Sequence, residues 1–214
     1  MSGPTDLRLA ELAALSYKQF TLSVGDVQIL VVQEDGAVVV VVRGTSSPFD
    51  WLRGLRFLPW YSWRLGWCHS GFLKGARLVW FKLMERLAEM DGPVYLVGHG
   101  MGGAVATDLA AMLLLVGRPP VALVTFGSPR VGAGRLGRIL AGIPTRRYVN
   151  GSDPVPLVPW LLGFYKHVGK AIELADANVT IVGDHFMSDY IPHLEAHLGL
   201  ETSRGLQAQE GVVQ

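Results

Sequence analysis

Cysteine is nearly absent from this chain, since Cys68 is the single cysteine among 214 residues. One thiol excludes an intrachain disulfide framework, the usual support of small exported proteins. The chain also lacks an apolar run of ~20 residues, the length that spans a bilayer. Residues 1–6 lack the basic and then apolar order of a signal peptide. We therefore expect a soluble protein that is cytoplasmic by default, with export by a leaderless route as the alternative.

An excess of charge of either sign is lacking too, because the formal net charge is +1 and 17% of the residues are charged. This balance gives no electrostatic reason to expect a nucleic-acid partner. Half of the residues are hydrophobic, which is typical of a folded protein with a substantial core. We predict one domain over residues 1–200 and a polar, flexible tail over 201–214. No pattern in the sequence predicts the oligomeric state.

Apolar periodicity predicts strands that alternate with helices. Strands are expected at residues 27–33, 37–42, 94–97, 121–126, 146–149 and 178–182, and helices at 7–17, 71–90, 104–116 and 186–198. Residues 34–36, Glu-Asp-Gly, predict a tight hairpin, whereas residues 47–67 are interpreted as irregular. This order predicts an α/β fold with a mainly parallel central sheet and helices on both faces.

The strongest motif is the turn at residues 98–102, Gly-His-Gly-Met-Gly, between a predicted strand and a predicted helix. A turn of this kind is the nucleophile elbow of α/β-hydrolases, which normally has serine where this chain has Gly100. A dinucleotide-binding loop is the alternative, because Gly98, Gly100 and Gly103 have its spacing. Against that alternative, the strand is not near the N-terminus and Asp108 follows too soon to bind a ribose.

The elbow and its surroundings resemble the class 3, fungal-lipase-like family over most of residues 5–198. The elbow of that family usually reads Gly-His-Ser-Leu-Gly-Gly-Ala, which this chain matches except at Gly100 and Met101. The resemblance implies an α/β-hydrolase fold and hydrolysis of carboxylic or acylglycerol esters, without a cofactor or a metal. The expected partner is a lipid or a small ester, with a transient contact to a lipid surface.

Three segments beside the elbow are similar to the functional segments of the family. By this resemblance Thr45 would supply one oxyanion-hole donor, and the N–H group of Met101 the other. Asp153 would be the catalytic acid that orients an imidazole, and His185 would be the general base. As in the family, His185 precedes a helix that carries Tyr190. Nucleophile position, acid and base follow one another in the order typical of α/β-hydrolases.

Five of the six tryptophans fall between residues 51 and 80. In the family this region contains a mobile lid, which would lie at about residues 48–58 and open against a lipid surface. Substrate or lid contacts are expected from Trp51, Leu52, Leu55, Phe57, Leu58 and Trp60. A second apolar loop is expected at residues 157–165. The alternative is that about half of these aromatic residues belong to an ordinary core.

Glycine at position 100 removes the oxygen that would attack an ester. Loss of the serine in a well-studied protease lowers turnover by ~10⁶-fold. We therefore expect an inactive form of a lipase or carboxylesterase, whether the serine was lost by engineering or naturally. Two alternatives are a pseudoenzyme that binds lipid or a protein partner, and a nucleophile relocated to Cys68 or Ser70.

The remaining histidines are interpreted as structural residues. His69, His99 and His167 are expected to be packed or hydrogen-bonded, and Ser128 is expected to be a turn residue before a proline. Residues 193–197, His-Leu-Glu-Ala-His, do not match the zinc protease helix, in which glutamate directly follows the first histidine. Two solvated histidines on a terminal helix are the expectation there.

Overall fold

The computed structural model describes residues 3–44, 58–151, 153–159, 163–174 and 185–199. Its elements in chain order are α1 (Asp6–Leu15), β1 (Leu22–Val24), β2 (Val27–Glu34), β3 (Ala37–Val42), β4 (Pro59–Ser62), β5 (Gly66–His69), α2 (Ser70–Ala88), β6 (Val94–His99), α3 (Met101–Leu115), β7 (Ala122–Phe126), α4 (Gly134–Ile139), β8 (Thr145–Asn150), a 3₁₀ turn (Val155–Leu157), β9 (Ala171–Leu174) and α5 (Met187–His197). None of these helices is long and apolar enough to cross a membrane. The predicted strand at 178–182 and the tail at 201–214 lie outside the described residues.

Within the described residues, seven strands form one sheet in the order β1-β2-β3-β6-β7-β8-β9. Strands β3, β6, β7, β8 and β9 run parallel to one another, whereas β1, β2 and β3 pair antiparallel. The prediction of a mainly parallel sheet is thus confirmed. Because β6, β7 and β8 are parallel neighbours, the loops at their carboxyl ends meet along one edge of the sheet, where α/β proteins place their sites.

Strand β3 shows why helices cover both faces of the sheet. All six of its residues are buried, as expected for an uninterrupted valine run in a parallel sheet. Val38, Val40 and Val42 belong to a core with α2 and α3. Val39 and Val41 belong to a second core with α1 and α5. The sheet is therefore the middle of three layers, as predicted.

The hairpin between β2 and β3 follows from two residues with positive φ. Glu34 pairs with Ala37, which leaves a loop of two residues. Asp35 has a φ of 49° and Gly36 has a φ of 74°. Asp-Gly is favoured in such loops because both positions need left-handed backbone. The predicted tight turn is confirmed.

The prediction of irregular structure over residues 47–67 is wrong for the described part of that range. Strands β4 and β5 form a separate antiparallel pair, in which Trp60 lies opposite Cys68. Their sequences, Pro-Trp-Tyr-Ser and Gly-Trp-Cys-His, contain no Val, Ile or Thr and no regular alternation of polar and apolar side chains, so no strand was expected there. The backbone N–H group of His69 donates to the carbonyl of Val131 over 3.0 Å, which holds the hairpin against the main body.

Candidate active site

Gly100 is the entire turn between β6 and α3. Its φ of 53° and ψ of −127° are strained for residues other than glycine. The flanking glycines allow close approach of backbone. A Cβ atom on Gly98 would lie 2.4 Å from the carbonyl oxygen of Gly102, and one on Gly102 would lie 2.2 Å from that of Val42. The elbow geometry predicted for residues 98–102 is present.

The side chain that Gly100 lacks would point at His185. A Cβ atom built on Gly100 lies 3.0 Å from Nε2 of His185 and 3.2 Å from Cε1. A serine hydroxyl stands one bond beyond Cβ, so it would come within hydrogen-bonding reach of Nε2 once the imidazole moved by a few tenths of an ångström. This nitrogen therefore lies where a proton acceptor for a residue-100 hydroxyl is needed.

Asp153 faces the other ring nitrogen of His185. The Nδ1–H group is 2.8 Å from Oδ2 and 3.0 Å from Oδ1 of the carboxylate, and both side chains are buried. The carboxylate also accepts hydrogen bonds from the hydroxyl of Tyr190 at 2.7 Å and the N–H group of Val155 at 2.9 Å. A carboxylate held in this way fixes the orientation and tautomer of the imidazole. Nε2 is thus left facing Gly100.

The hydroxyl of Tyr190, on α5, contacts both this carboxylate and the end of β8. Its hydroxyl oxygen accepts the backbone N–H group of Asn150 at 3.1 Å. Burial and the neighbouring Asp153 raise the pKa of Tyr190 well above its ordinary value. The phenol therefore keeps its proton and acts as a donor to Asp153. The family resemblance pointed to Tyr190, but this contact was not predicted.

Gly127 provides space for the pair of Asp153 and His185, and sequence reasoning missed it. It follows β7 with a φ of 58°. A Cβ atom there would lie 2.5 Å from Oδ2 of Asp153, 2.9 Å from the hydroxyl of Tyr190 and 3.0 Å from Nδ1 of His185. The available signal was a glycine directly after a buried strand that neighbours the elbow strand.

His99, in the elbow itself, holds the main chain of His185. Its Nε2 lies 2.6 Å from the carbonyl oxygen of His185, and its Nδ1 lies 2.6 Å from the hydroxyl of Tyr17. A carbonyl only accepts, so Nε2 carries the proton and Nδ1 accepts from Tyr17. Burial, with the nearby His185, lowers the pKa of His99 to about 3. The interpretation of His99 as a hydrogen-bonded structural residue is confirmed.

The expected oxyanion donors are described only in part. Met101 is the first residue of α3, where backbone N–H groups have no partner within the helix. Its role as a donor stays a prediction, and Thr45 lies outside the described residues. The preceding Arg43 places its guanidinium 5.1 Å from the ring centroid of Tyr17, which in turn contacts His99.

The sequence of residues 39–162 matches the family described as lipase (class 3). The match covers more than half of the chain and includes the elbow and Asp153. The chain belongs to the class 3 lipase family. The matched range ends before His185, so the imidazole in the described geometry comes from a segment beyond it.

Two curated relatives resemble this chain over two thirds or more of its length. The secreted mono- and diacylglycerol lipase A of Penicillium cyclopium is 31% identical over 152 residues, which is 67% of this chain and 50% of that protein. A lipase of Rhizomucor miehei is 30% identical over 174 residues, which is 74% of this chain and 48% of that protein. This chain therefore spans about half the length of the curated relatives that it matches.

The fold is also found in a solved structure. The triacylglyceride lipase of Rhizomucor miehei superposes with a TM-score of 0.71 over 82% of this chain and 83% of that chain, at 24% identity. At this identity the likeness establishes the fold alone. The predicted α/β-hydrolase fold is confirmed.

The prediction of a cytoplasmic location is wrong in the light of these relatives. Proteins of Penicillium cyclopium, Penicillium camembertii and Fusarium solani that resemble this chain are named secreted lipases. Their names point to an extracellular location for these relatives. The composition of residues 1–6 therefore carries no information on where the protein acts.

Of the residues expected to form the lid or contact substrate, the structure describes only Leu58 and Trp60. Trp51, Leu52, Leu55 and Phe57 lie outside the described residues. Leu58 is 60% exposed and Trp60 is 56% exposed. Trp60 belongs to β4, just beyond the range of about 48–58 expected for the lid. Its contact with substrate stays a prediction.

Cys68 and Ser70 do not have the surroundings of a relocated nucleophile. Cys68 is fully buried on β5, and burial raises the pKa of its thiol, which disfavours the reactive thiolate. Ser70 is the first residue of α2. The adjacent His69 is the N-cap of that helix. Its ring stacks on that of Phe72 with the ring centroids 4.1 Å apart, as expected of a structural residue.

The histidines of α5 differ in their surroundings. His193 is half-buried and its Nδ1 lies 2.5 Å from Oδ1 of Asn150, so the expectation of a solvated side chain is wrong there. His197 is exposed, as predicted. Among the described residues, no group of three or more His, Cys, Asp or Glu side chains could hold a metal ion.

Proposed function

We propose that this chain is a lipase or carboxylesterase scaffold for acyl transfer from carboxylic or acylglycerol esters, in a form that lacks its nucleophile. One observation carries the proposal: the Cβ position of Gly100 lies 3.0 Å from Nε2 of His185, whose Nδ1 is paired with Asp153. A serine at residue 100 would complete a nucleophile, base and acid in contact with one another.

With serine at residue 100, the hydroxyl oxygen would attack the ester carbonyl while Nε2 of His185 takes its proton. Asp153 would stabilise the resulting imidazolium. The N–H group of Met101, with Thr45, would bind the oxyanion. The imidazolium would then protonate the departing alcohol, and a water activated by His185 would release the acid. With Gly100 no covalent intermediate forms, so we expect no useful hydrolysis.

The decisive experiment compares the chain with its Gly100→Ser variant on p-nitrophenyl esters of graded acyl length. We expect esterase activity only in Gly100→Ser and its loss in the double variant with His185→Ala. Gly100→Ala is the matched control, because it adds the same Cβ atom without a hydroxyl. A folded Gly100→Ser protein without activity would contradict the proposal, as would equal activity in Gly100→Ala.

A pseudoenzyme is the second candidate function, and Gly100 itself is the observation that favours it. A protein that only binds needs the surface around the site, but it does not need a hydroxyl at the elbow. This alternative predicts that lipid binding survives His185→Ala and that Gly100→Ser adds no rate. The rate gained by Gly100→Ser therefore separates the two functions.

We also propose acylglycerols as the substrate class and an extracellular location. The support comes from relatives named secreted mono- and diacylglycerol lipases. Hydrolysis of monoacylglycerols, diacylglycerols and triacylglycerols by Gly100→Ser tests the first proposal. Export of the protein by its natural host tests the second.

A further inference from the structure

One stretch of the chain combines positive charge with aromatic side chains. Residues 51–84 contain no Asp or Glu, although the whole chain is nearly neutral. The stretch holds six basic residues, namely Arg53, Arg56, Arg64, Lys74, Arg77 and Lys82. The remainder of the chain is therefore net acidic. Five of the six tryptophans lie in the same stretch.

The β4–β5 hairpin presents its aromatic side chains to solvent. Trp60, Tyr61, Trp63 and Trp67 are 56%, 53%, 71% and 45% exposed. Tyr61 and Trp67 pack edge to face with ring centroids 5.3 Å apart. The guanidinium of Arg64 lies 4.6 Å from the ring centroid of Trp63. Soluble monomers rarely expose so many large apolar side chains side by side.

Helix α2 continues this surface on its outer side. Lys74, Arg77, Leu78 and Phe81 are all exposed, and their spacing places them on one face of the helix. Leu78 is 45% exposed and Phe81 is 77% exposed. A cavity of about 440 Å³ joins the helix to the hairpin. Its lining consists of Trp60, Ser70, Leu73, Lys74, Arg77 and Leu78.

We propose that this basic aromatic face, formed by the β4–β5 hairpin and the outer side of α2, docks the protein on an anionic lipid surface. Indole and phenol rings favour the headgroup level, where their apolar bodies and polar tips both find partners. Basic residues next to them attract anionic headgroups at about 1 kcal/mol each. An uncharged lipid surface would satisfy the aromatic side chains and leave the cations without a counterpart.

The hairpin is also fixed next to the edge of the sheet that carries the site. The N–H group of Ala133 donates to the carbonyl of Trp67 over 2.8 Å, and Cys68 forms a backbone bridge with Gly132. Residues 132 and 133 belong to the loop that starts at Gly127, which contacts Asp153 and His185. A lipid surface bound by the hairpin would therefore lie on the side of the carboxyl edge.

Binding is tested on the chain as it stands, with vesicles of phosphatidylcholine alone or mixed with phosphatidylglycerol. We expect cosedimentation with the mixed vesicles, a blue shift of tryptophan fluorescence, and loss of both at high salt, because screening weakens headgroup attraction. Hydrolysis plays no part in this measurement, so the docking proposal and the proposed function fail independently. Equal binding to both vesicle types, or binding to neither, would overturn the docking proposal.

Matched variants locate the contact. Lys74→Gln with Arg77→Gln removes two cations from the face and should weaken binding to mixed vesicles by about 30-fold. Lys18→Gln with Lys170→Gln removes two exposed cations elsewhere and should have little effect. An equal loss in both double variants would overturn the assignment to this face.

The aromatic contribution has its own pair of variants. Trp63→Ala with Phe81→Ala should reduce the blue shift and weaken binding, whereas Leu198→Ala, which truncates an exposed side chain after α5, should preserve both. Sedimentation velocity tests whether a second copy covers the face instead. A stable dimer that Trp63→Ala with Phe81→Ala dissociates would overturn the proposal in favour of self-association.

Discussion

The hydroxyl of Tyr190 lies 2.7 Å from Oδ2 of Asp153, the same oxygen that lies 2.8 Å from Nδ1 of His185. One carboxylate oxygen thus receives two donors. The N–H group of Val155 occupies the other oxygen at 2.9 Å. With these donors in place, Asp153 has little freedom to turn away from the imidazole. Tyr190 is therefore a positioning residue for the proposed base.

Tyr190→Phe, made in the Gly100→Ser background, removes one donor and leaves the ring in place. We expect kcat to fall by about 10-fold with KM nearly unchanged, and stability to fall by about 2 kcal/mol through the two lost hydrogen bonds, to Asp153 and from Asn150. Steady-state kinetics and urea unfolding measure the two effects. Tyr148→Phe is the control, because its hydroxyl bonds to Asp6 instead. Equal losses of kcat in both variants would contradict the role given to Tyr190.

Gly127→Ala places a methyl group 2.5 Å from Oδ2 of Asp153, at a φ of 58°. The clash should separate Asp153 from His185 and lower the free energy of unfolding by about 3 kcal/mol, through steric overlap added to backbone strain. Gly117→Ala is the matched control, since its φ is 79° and nothing lies within 4 Å of its Cβ position. It should cost about 1 kcal/mol. Equal costs in urea unfolding would show that space around Asp153 is not limiting.

Features encoded in neighbouring residues could be predicted from the sequence. The valine run of β3, the Asp-Gly turn at residues 35–36 and the elbow around Gly100 each occupy one short segment with its own pattern. Strands β4 and β5 and helix α4 were not predicted. Strand β4 contains Pro59, β5 contains Gly66, and neither alternates between polar and apolar residues, whereas the six residues of α4 are too few to show a helical period.

Contacts between distant segments could not be predicted in the same way. His99 and His185 are 86 positions apart, and no spacing rule connects a ring nitrogen with a carbonyl at that separation. The need for glycine at residue 127 arises only after the loops that follow β7 and β8 have met the N-terminal end of α5. The family resemblance supplied Asp153 and His185, but not the contacts that hold them in place.

Gly100→Ser and Gly100→Ala should both destabilise the fold while only the first gains activity. Each adds a Cβ atom at a φ of 53° and 3.0 Å from Nε2 of His185. We expect each variant to lose about 1–2 kcal/mol of unfolding free energy. Urea unfolding of the three forms measures this. A variant more stable than the Gly100 form would show that glycine does not relieve strain at the elbow.

Buried histidines should make the fold sensitive to acid. Burial lowers the pKa of His69 and of His167 to about 4, and that of His99 to about 3, from 6.5. Below pH 6.5 the unfolded chain takes up protons that the folded chain does not. Stability should therefore fall as the pH drops from 6.5 towards 4, by up to about 1.4 kcal/mol per pH unit for each histidine.

His167 is the histidine best suited to a test of this dependence. Its Nε2–H group donates to the carbonyl of Pro156 over 2.9 Å, and glutamine can supply a similar donor without titrating. Asp108 acts in the opposite direction, because burial raises its pKa, so the total slope of the parent chain is not diagnostic. The contribution of Asp108 cancels when the pH dependence of the unfolding free energy is compared between His167→Gln and the parent. In urea unfolding between pH 8 and pH 5, the variant should lose less stability than the parent as the pH falls. Identical slopes would mean that His167 takes up its proton in the folded state as readily as in the unfolded chain.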